Sequence, residues 1–137
     1  KADQTEVIIS PQRVRQVVRP ETARQMTAML VNVVEREVTA AQVAGYQVAG
    51  KSGTAQIPVT GGYDPEDTIA SFCGFFPADD PRFVVLIVLN RPKASEGWGS
   101  LVAAPAFARI VKQLAVLFEV PPDDVRHQLA QRADLGG

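Results

Sequence analysis

The chain has 137 residues, of which 46% are hydrophobic and 21% are charged, and these ordinary globular values exclude an intrinsically disordered or fibrous protein. Fourteen Lys and Arg residues against 15 Asp and Glu residues give a net charge of -1, so no nucleic acid partner is expected. The longest uninterrupted apolar run, Phe83 to Leu89, has seven residues, which is too short for a membrane-spanning helix of about 20.

The chain is predicted to be one domain or part of a larger one, since single domains commonly have roughly 100–200 residues. It starts with Lys1 and shows no initiator Met and no signal peptide, so we expect a soluble segment of a longer protein. Its single cysteine, Cys73, has no second cysteine to pair with and no cluster of histidines nearby. No disulfide, metal or cofactor is therefore predicted.

The first predicted elements are a short extended piece and a helix. Glu6 to Ile9 is expected to be extended and to end at the following Ser-Pro pair, and residues 12–19 fit either a loop or a strand. Pro20 and Glu21 suit the first turn of a helix. Apolar residues then recur at helical spacing and predict an amphipathic helix to about Arg36: Ala23, Met26, Leu30, Val33 and Val34.

Three strands are predicted in the middle of the chain. Residues 46–57 have the period of two and the β-branched residues of a strand, and the glycine-rich residues 58–67 predict a loop. Residues 69–76 and 83–90 predict two further strands. Because the last of these is apolar without interruption from Phe83 to Leu89, it is expected to lie centrally in its sheet with both faces buried.

The C-terminal part is predicted to be helical. After a turn-rich stretch over 91–100, apolar residues return at spacings of three and four and predict a long helix to Phe118, with Pro105 near its first turn. A short helix is expected through Gln131, before a disordered Gly-Gly end. The short connections between strands require antiparallel pairing. We therefore predict an α+β fold, an antiparallel sheet covered by helices on both faces in α/β/α layers.

The first predicted strand carries the residues that suggest chemistry. In an extended strand Ser52, Thr54 and Gln56 project to one side and Lys51 to the other, while Gly53 leaves the backbone bare. Two hydroxyls beside bare backbone can bind a carboxylate. The alternative is that Lys51 is a solvated edge residue and Gly53 a bulge.

The sequence around this strand resembles a known family. Residues 45–57, GYQVAGKSGTAQI, resemble the third-motif strand of class B penicillin-binding proteins, the peptidoglycan D,D-transpeptidases, which carry A-G-K-[ST]-G-T-A there. Residues 69–83, IASFCGFFPADDPRF, look like the next two strands of that family, and residues 19–23, RPETA, resemble the start of its preceding helix. The resemblance covers residues 18–118 of a single segment, 1–137, and leaves 119–137 as a tail.

The resemblance implies a partial active site. The family uses Ser-x-x-Lys for its nucleophile, Ser-x-Asn, and the Lys-[Ser/Thr]-Gly strand, and only the third motif is present in this chain. It implies that Lys51 and Thr54 are catalytic, Lys51 through proton relay and electrostatics and Thr54 through a backbone N–H in the oxyanion hole. Ser52, Gly53, Thr54 and Gln56 would bind substrate, the terminal carboxylate of a D-alanyl-D-alanine stem peptide or of a β-lactam.

The same resemblance implies a parent enzyme anchored by one transmembrane segment, with its catalytic domain on the extracytoplasmic face of the bacterial membrane. It would cross-link stem peptides through an acyl-serine intermediate. The segment alone is expected to be inactive, and to bind the missing N-terminal part of its domain or to self-associate through exposed apolar surface. Two alternatives stay open: a non-catalytic sensor of β-lactams or muropeptides, and a fragment of a serine β-lactamase.

Other chemically suggestive residues are expected to be structural. His127, the only histidine, is predicted to lie on the surface, and Cys73 to be a buried, inert thiol. The Asp pairs at 79–80 and 123–124 adjoin prolines and fit turn or cap positions. The resemblance implies that the loop containing Tyr63 flanks the mouth of the active-site cleft, although it could also be a plain surface connection. Trp98 could pack over a groove or anchor a turn.

Overall fold

The computed structural model describes residues 12, 14–93 and 98–135. The predicted extended piece at 6–9 and the Gly-Gly end therefore lie outside the described residues. In chain order the elements are helix α1 (Pro20–Asn32), a π-helical turn (Val33–Glu37), a 3-10 turn (Thr39–Ala41), strands β1 (Ala49–Val59), β2 (Gly62–Phe76) and β3 (Phe83–Asn90), and helices α2 (Gly99–Leu117) and α3 (Asp123–Leu135).

The three strands form one antiparallel sheet in the order β1-β2-β3. Helix α2 covers one face, where Phe72 of β2 lies 4.8 Å from Phe107 of α2 between ring centroids and both side chains are fully buried. On the opposite face α1 packs its Val31 against Ala49 of β1 and against Ala78 in the turn after β2. The predicted α+β fold with helices on both faces is confirmed.

The prediction that 83–90 is a central strand with both faces buried is wrong. β3 pairs only with β2 in the described part of the chain, and its burial alternates. Residues of odd number face α2, whereas Val84, Leu86 and Val88 are 74%, 61% and 55% exposed. An apolar strand shows that both of its faces favour burial, but α1 covers only one end of the second face.

Three smaller predictions are also corrected. The predicted loop at 58–67 is instead a continuation of β1 and β2, joined by a tight turn in which Gly61 takes a φ of 90° that favours glycine. Cys73 is exposed, not buried, because it lies on the sheet face opposite α2. Pro105 lies inside α2, beyond its first turn.

Helix α2 is long and apolar enough to cross a membrane by length and composition alone, although the apolar-run criterion predicted no such helix. Arg109 and Lys112 interrupt its apolar sequence. Its buried face packs against the sheet, with these residues removed from solvent: Ala103, Ala104, Phe107, Ala108, Val111 and Ala115. In this structure α2 therefore serves as the core helix.

Candidate functional site

Strand β1, which carries the predicted site residues, lies at one edge of the sheet in the described part of the chain. An edge strand leaves every second backbone N–H and C=O without a partner in the sheet. Its glycines bring it close to the core, since a Cβ at Gly50 would lie 2.7 Å from the Phe72 ring. Within the described residues, the strand thus has backbone groups on its outer side that no other strand of the sheet pairs with, and it is held in a packed position.

The side-chain ammonium of Lys51 contacts the neighbouring Ser52. Lys51 is exposed, and its Nζ donates to the backbone oxygen of Ser52 at 3.2 Å and approaches Ser52 Oγ at 3.5 Å. No carboxylate among the described residues lies within 4 Å of this ammonium. A positive charge with no carboxylate partner among the described residues and a half-buried hydroxyl therefore lie together at the strand edge, an arrangement suited to an anion.

Gly53 and Thr54 contact neighbouring elements. Ser71 Oγ of β2 donates to the Gly53 carbonyl oxygen at 3.4 Å, and a Cβ at position 53 would lie 2.7 Å from that hydroxyl oxygen. Thr54 is exposed, and its Oγ1 accepts a hydrogen bond of 3.1 Å from the backbone N–H of Gly99, the first residue of α2. The structure thus places the strand against both β2 and the start of α2.

The structure places Gln56 further along the same edge. Gln56 is exposed and lies opposite Thr68 of β2, just before the register of the hairpin becomes irregular.

Two aromatic residues singled out in the sequence are largely exposed. Tyr63, predicted in a loop, is instead in β2 and is 64% exposed. Trp98 immediately precedes α2 and is 59% exposed. Neither aromatic residue belongs to β1, which holds all five predicted site residues, at positions 51–54 and 56.

Away from β1, four charged or titratable residues of α3 and of the turn after β2 form an ionic cluster. Arg126 of α3 donates to Asp79 at 2.5 Å and to Asp123 at 2.7 Å, and His127 lies 2.7 Å from the other Asp79 oxygen. Burial raises the pKa of Asp79, but the hydrogen bonds from Arg126 and His127 outweigh it and lower that pKa to about 2. As predicted, His127 lies at the surface; the cluster fastens α3 to the turn after β2.

Two surface cavities lie away from β1. One, of about 660 Å³, lies between α1 and the turn after β2, and the other, of about 600 Å³, lies beside Tyr46 and Lys112. No group of three or more His, Cys, Asp or Glu side chains suited to a metal ion occurs within the described ranges. Neither cavity includes a predicted site residue.

Sequence reasoning missed the two neighbours that hold the strand. Ser71 lies opposite Gly53 in the β1–β2 register, and Gly99 lies 45 positions from Thr54 in the sequence. Pairing of the two predicted strands could have indicated Ser71. No local pattern indicated Gly99.

Comparisons with a family model and with known proteins agree on one protein family. The family model described as penicillin binding protein transpeptidase domain matches residues 5–112. The chain is 39% identical over 116 residues to the probable peptidoglycan D,D-transpeptidase PbpC of Pseudomonas aeruginosa, a match that covers 83% of this chain and 20% of the relative. It is 42% identical over 104 residues to the stage V sporulation protein D of Bacillus subtilis, covering 75% of this chain and 16% of that protein.

Solved structures agree with this assignment. The apo structure of the TP domain from Burkholderia pseudomallei penicillin-binding protein 3 matches with a TM-score of 0.69 and 40% identity, over 76% of this chain and 32% of that one. Penicillin-binding protein 3 from Mycobacterium tuberculosis, complexed with ampicillin, matches with a TM-score of 0.67 and 38% identity, over 77% of this chain and 26% of that one. The chain thus spans less than a third of the length of these relatives.

Proposed function

The chain belongs to the penicillin-binding protein transpeptidase family, class B, and we propose that its strand β1 forms one side of the acyl-transfer site of a peptidoglycan D,D-transpeptidase. The observation that carries this proposal is the juxtaposition of Lys51, Ser52 and Thr54 at an open sheet edge, where no described carboxylate neutralises the ammonium. The similarity to proteins named as peptidoglycan D,D-transpeptidases favours a transpeptidase over a sensor or a β-lactamase.

The proposed ligand is the terminal carboxylate of a D-alanyl-D-alanine stem peptide, or the equivalent carboxylate of a β-lactam. Ser52 and Thr54 donate their hydroxyl hydrogens to it, and the Lys51 charge attracts it. Hydrogen bonds to a charged group are about twice as strong as neutral ones. Gly53 lets the ligand approach the backbone, and Gln56 contacts the part of the ligand that lies further along the strand.

The proposed reaction is acyl transfer through a nucleophilic serine that residues 1–137 do not contain and that another part of the domain contributes. That serine attacks the carbonyl carbon of the penultimate D-alanine, the terminal D-alanine leaves, and an amine of a second stem peptide displaces the serine to form the cross-link. The backbone N–H of Thr54 donates to the oxyanion of the tetrahedral intermediate. One such donor contributes about 3 kcal/mol to lowering the barrier.

We expect the chain alone to be inactive, because none of its serines begins Ser-x-x-Lys or Ser-x-Asn. The rest of the domain is proposed to pack on the open sheet face formed by Val84, Leu86 and Val88. Without it, that face is expected to promote self-association. The parent protein is proposed to be anchored by one transmembrane segment and to act on the extracytoplasmic face of the bacterial membrane, where its substrate lies.

The test is covalent labelling of the complete transpeptidase domain by a fluorescent penicillin. Thr54→Val is expected to reduce the rate of labelling at least tenfold, since it removes the side-chain hydroxyl that donates a hydrogen bond to the charged ligand. Thr60→Val, the same change at the exposed tip of the hairpin, serves as the matched control and is expected to label at the parent rate. Equal labelling by the two variants, or labelling of residues 1–137 alone, would contradict the proposal.

A further inference from the structure

The start of α2 contacts strand β1 more closely than packing of a helix on a sheet requires. A Cβ at Gly99 would overlap the carbonyl oxygens of both Gly53 and Ser71. Any residue other than glycine would therefore push the helix end away from the strand. This close approach brings the Gly99 N–H to 3.1 Å from Thr54 Oγ1.

The direction of this hydrogen bond decides what the Thr54 hydroxyl can do. A threonine hydroxyl has one hydrogen to donate and two lone pairs that accept. A backbone N–H can only donate, so the Gly99 amide occupies a lone pair of Thr54 Oγ1. The Thr54 hydrogen cannot point toward that amide and stays available to another acceptor.

Ser52 is in the same situation. The Lys51 ammonium, which is also purely a donor, lies 3.5 Å from Ser52 Oγ. Ser52 and Thr54 lie on the same face of β1, two residues apart. Each hydroxyl thus has a donor from the protein beside its oxygen, and both keep their hydrogens for a ligand that only accepts.

From these contacts we infer that Gly99 is a positioning residue: its backbone N–H holds the Thr54 hydroxyl as a hydrogen-bond donor. The strand therefore selects a ligand bearing a carboxylate over one bearing a neutral ester at the same place, because a hydrogen bond donated to a charged oxygen is about twice as strong as one donated to a neutral oxygen. Gly99 does not itself touch the ligand. The inference rests on the proposed function, because it names how the proposed carboxylate is recognised. It adds a specificity-determining residue from α2.

The first experiment compares two β-lactams on the complete transpeptidase domain, one with its free carboxylate and one with that carboxylate methylated. Gly99→Ala is expected to slow acylation by the free carboxylate about tenfold and acylation by the methyl ester much less. Ser100→Ala, one residue later in the same turn, is the matched control and should leave both rates unchanged. Equal slowing of both reactions by Gly99→Ala overturns the inference, since it shows general damage to the site.

A double-mutant cycle separates this inference from the proposed function. If Gly99 acts through the Thr54 hydroxyl, Gly99→Ala should have no further effect on carboxylate selectivity in a Thr54→Val background. Additive losses overturn the inference. If Thr54→Val itself leaves acylation by both β-lactams at the parent rate, the proposed function of Thr54 fails instead.

A second measurement does not depend on whether Gly99→Ala folds. The first N–H groups of a helix have no partner within the helix, so the Gly99 amide exchanges its hydrogen slowly only if another group holds it. Exchange at Gly99 is expected to be slow in the parent domain and in Thr54→Ser, which keeps the hydroxyl, and at least tenfold faster in Thr54→Val. Equal exchange in Thr54→Ser and Thr54→Val overturns the inference.

Discussion

Replacing Asp79 by asparagine should loosen the attachment of α3. Asp79 accepts hydrogen bonds from Arg126 and His127, which hold its pKa at about 2 against an ordinary value of 3.8. The difference of nearly two units sets an upper limit of about 2.5 kcal/mol at 1.36 kcal/mol per unit. Because the side chain is 38% exposed and solvent weakens such contacts, about 1 kcal/mol is expected.

The sign of the pH dependence follows from the lowered pKa. A carboxyl group whose pKa is lower in the folded state contributes its full stabilisation above the unfolded pKa and loses it as the pH falls through the folded value. The Asp79 contribution should thus be complete above about pH 4 and should disappear between pH 4 and about pH 2. In Asp79→Asn this part of the pH dependence should be absent.

Urea unfolding as a function of pH measures both effects, and hydrogen exchange in α3 shows whether the loss is local to that helix. Asp80→Asn is the matched control, since Asp80 is the exposed neighbour in the same turn and should change stability by less than about 0.5 kcal/mol. The reasoning is refuted if the two variants unfold alike at pH 7, or if Asp79→Asn keeps the parent's loss of stability between pH 4 and pH 2.

Two further predictions concern the core and the open face of the sheet. Phe107→Ala should lower the free energy of unfolding in urea by about 3 to 5 kcal/mol, because its ring is fully buried against Phe72. Phe118→Ala, at a site 48% exposed, should lower it clearly less. Equal losses in the two variants would contradict this view of the core. Leu86→Lys should reduce self-association, measured by sedimentation, without loss of stability. Val116→Lys, at an 80% exposed site of α2, should leave self-association unchanged. If Val116→Lys reduces self-association and Leu86→Lys does not, the association surface lies elsewhere.

Much of the local structure could be predicted from the sequence because it depends on neighbouring residues. Pro20 and Glu21 in the first turn of α1, and the spacing of apolar residues in α2, are local signals for helices. The alternation along Ser52, Thr54 and Gln56 likewise predicted a strand with its polar side chains on one face. These elements formed where they were expected.

The predictions that were wrong concern residues whose surroundings depend on distant parts of the chain. The apolar run of β3 indicated burial on two faces, but only the packing of α1 and α2 decided that Val84 and Leu86 remain exposed. Cys73 was expected inside for the same reason and lies on the same open face. An apolar pattern states a preference for burial and does not state which element provides it.

The helices, the antiparallel strands and the order of the lysine and the two hydroxyls along β1 could all be predicted from the amino-acid sequence, because strand and helix periods are properties of consecutive residues. The position of β1 at an edge of the described sheet and the hydrogen bond from Gly99 to Thr54 depend instead on how the elements pack together. A hydrogen bond between residues 45 positions apart depends on how α2 packs on the sheet. That packing is set by the whole buried core, including Phe72 and Phe107.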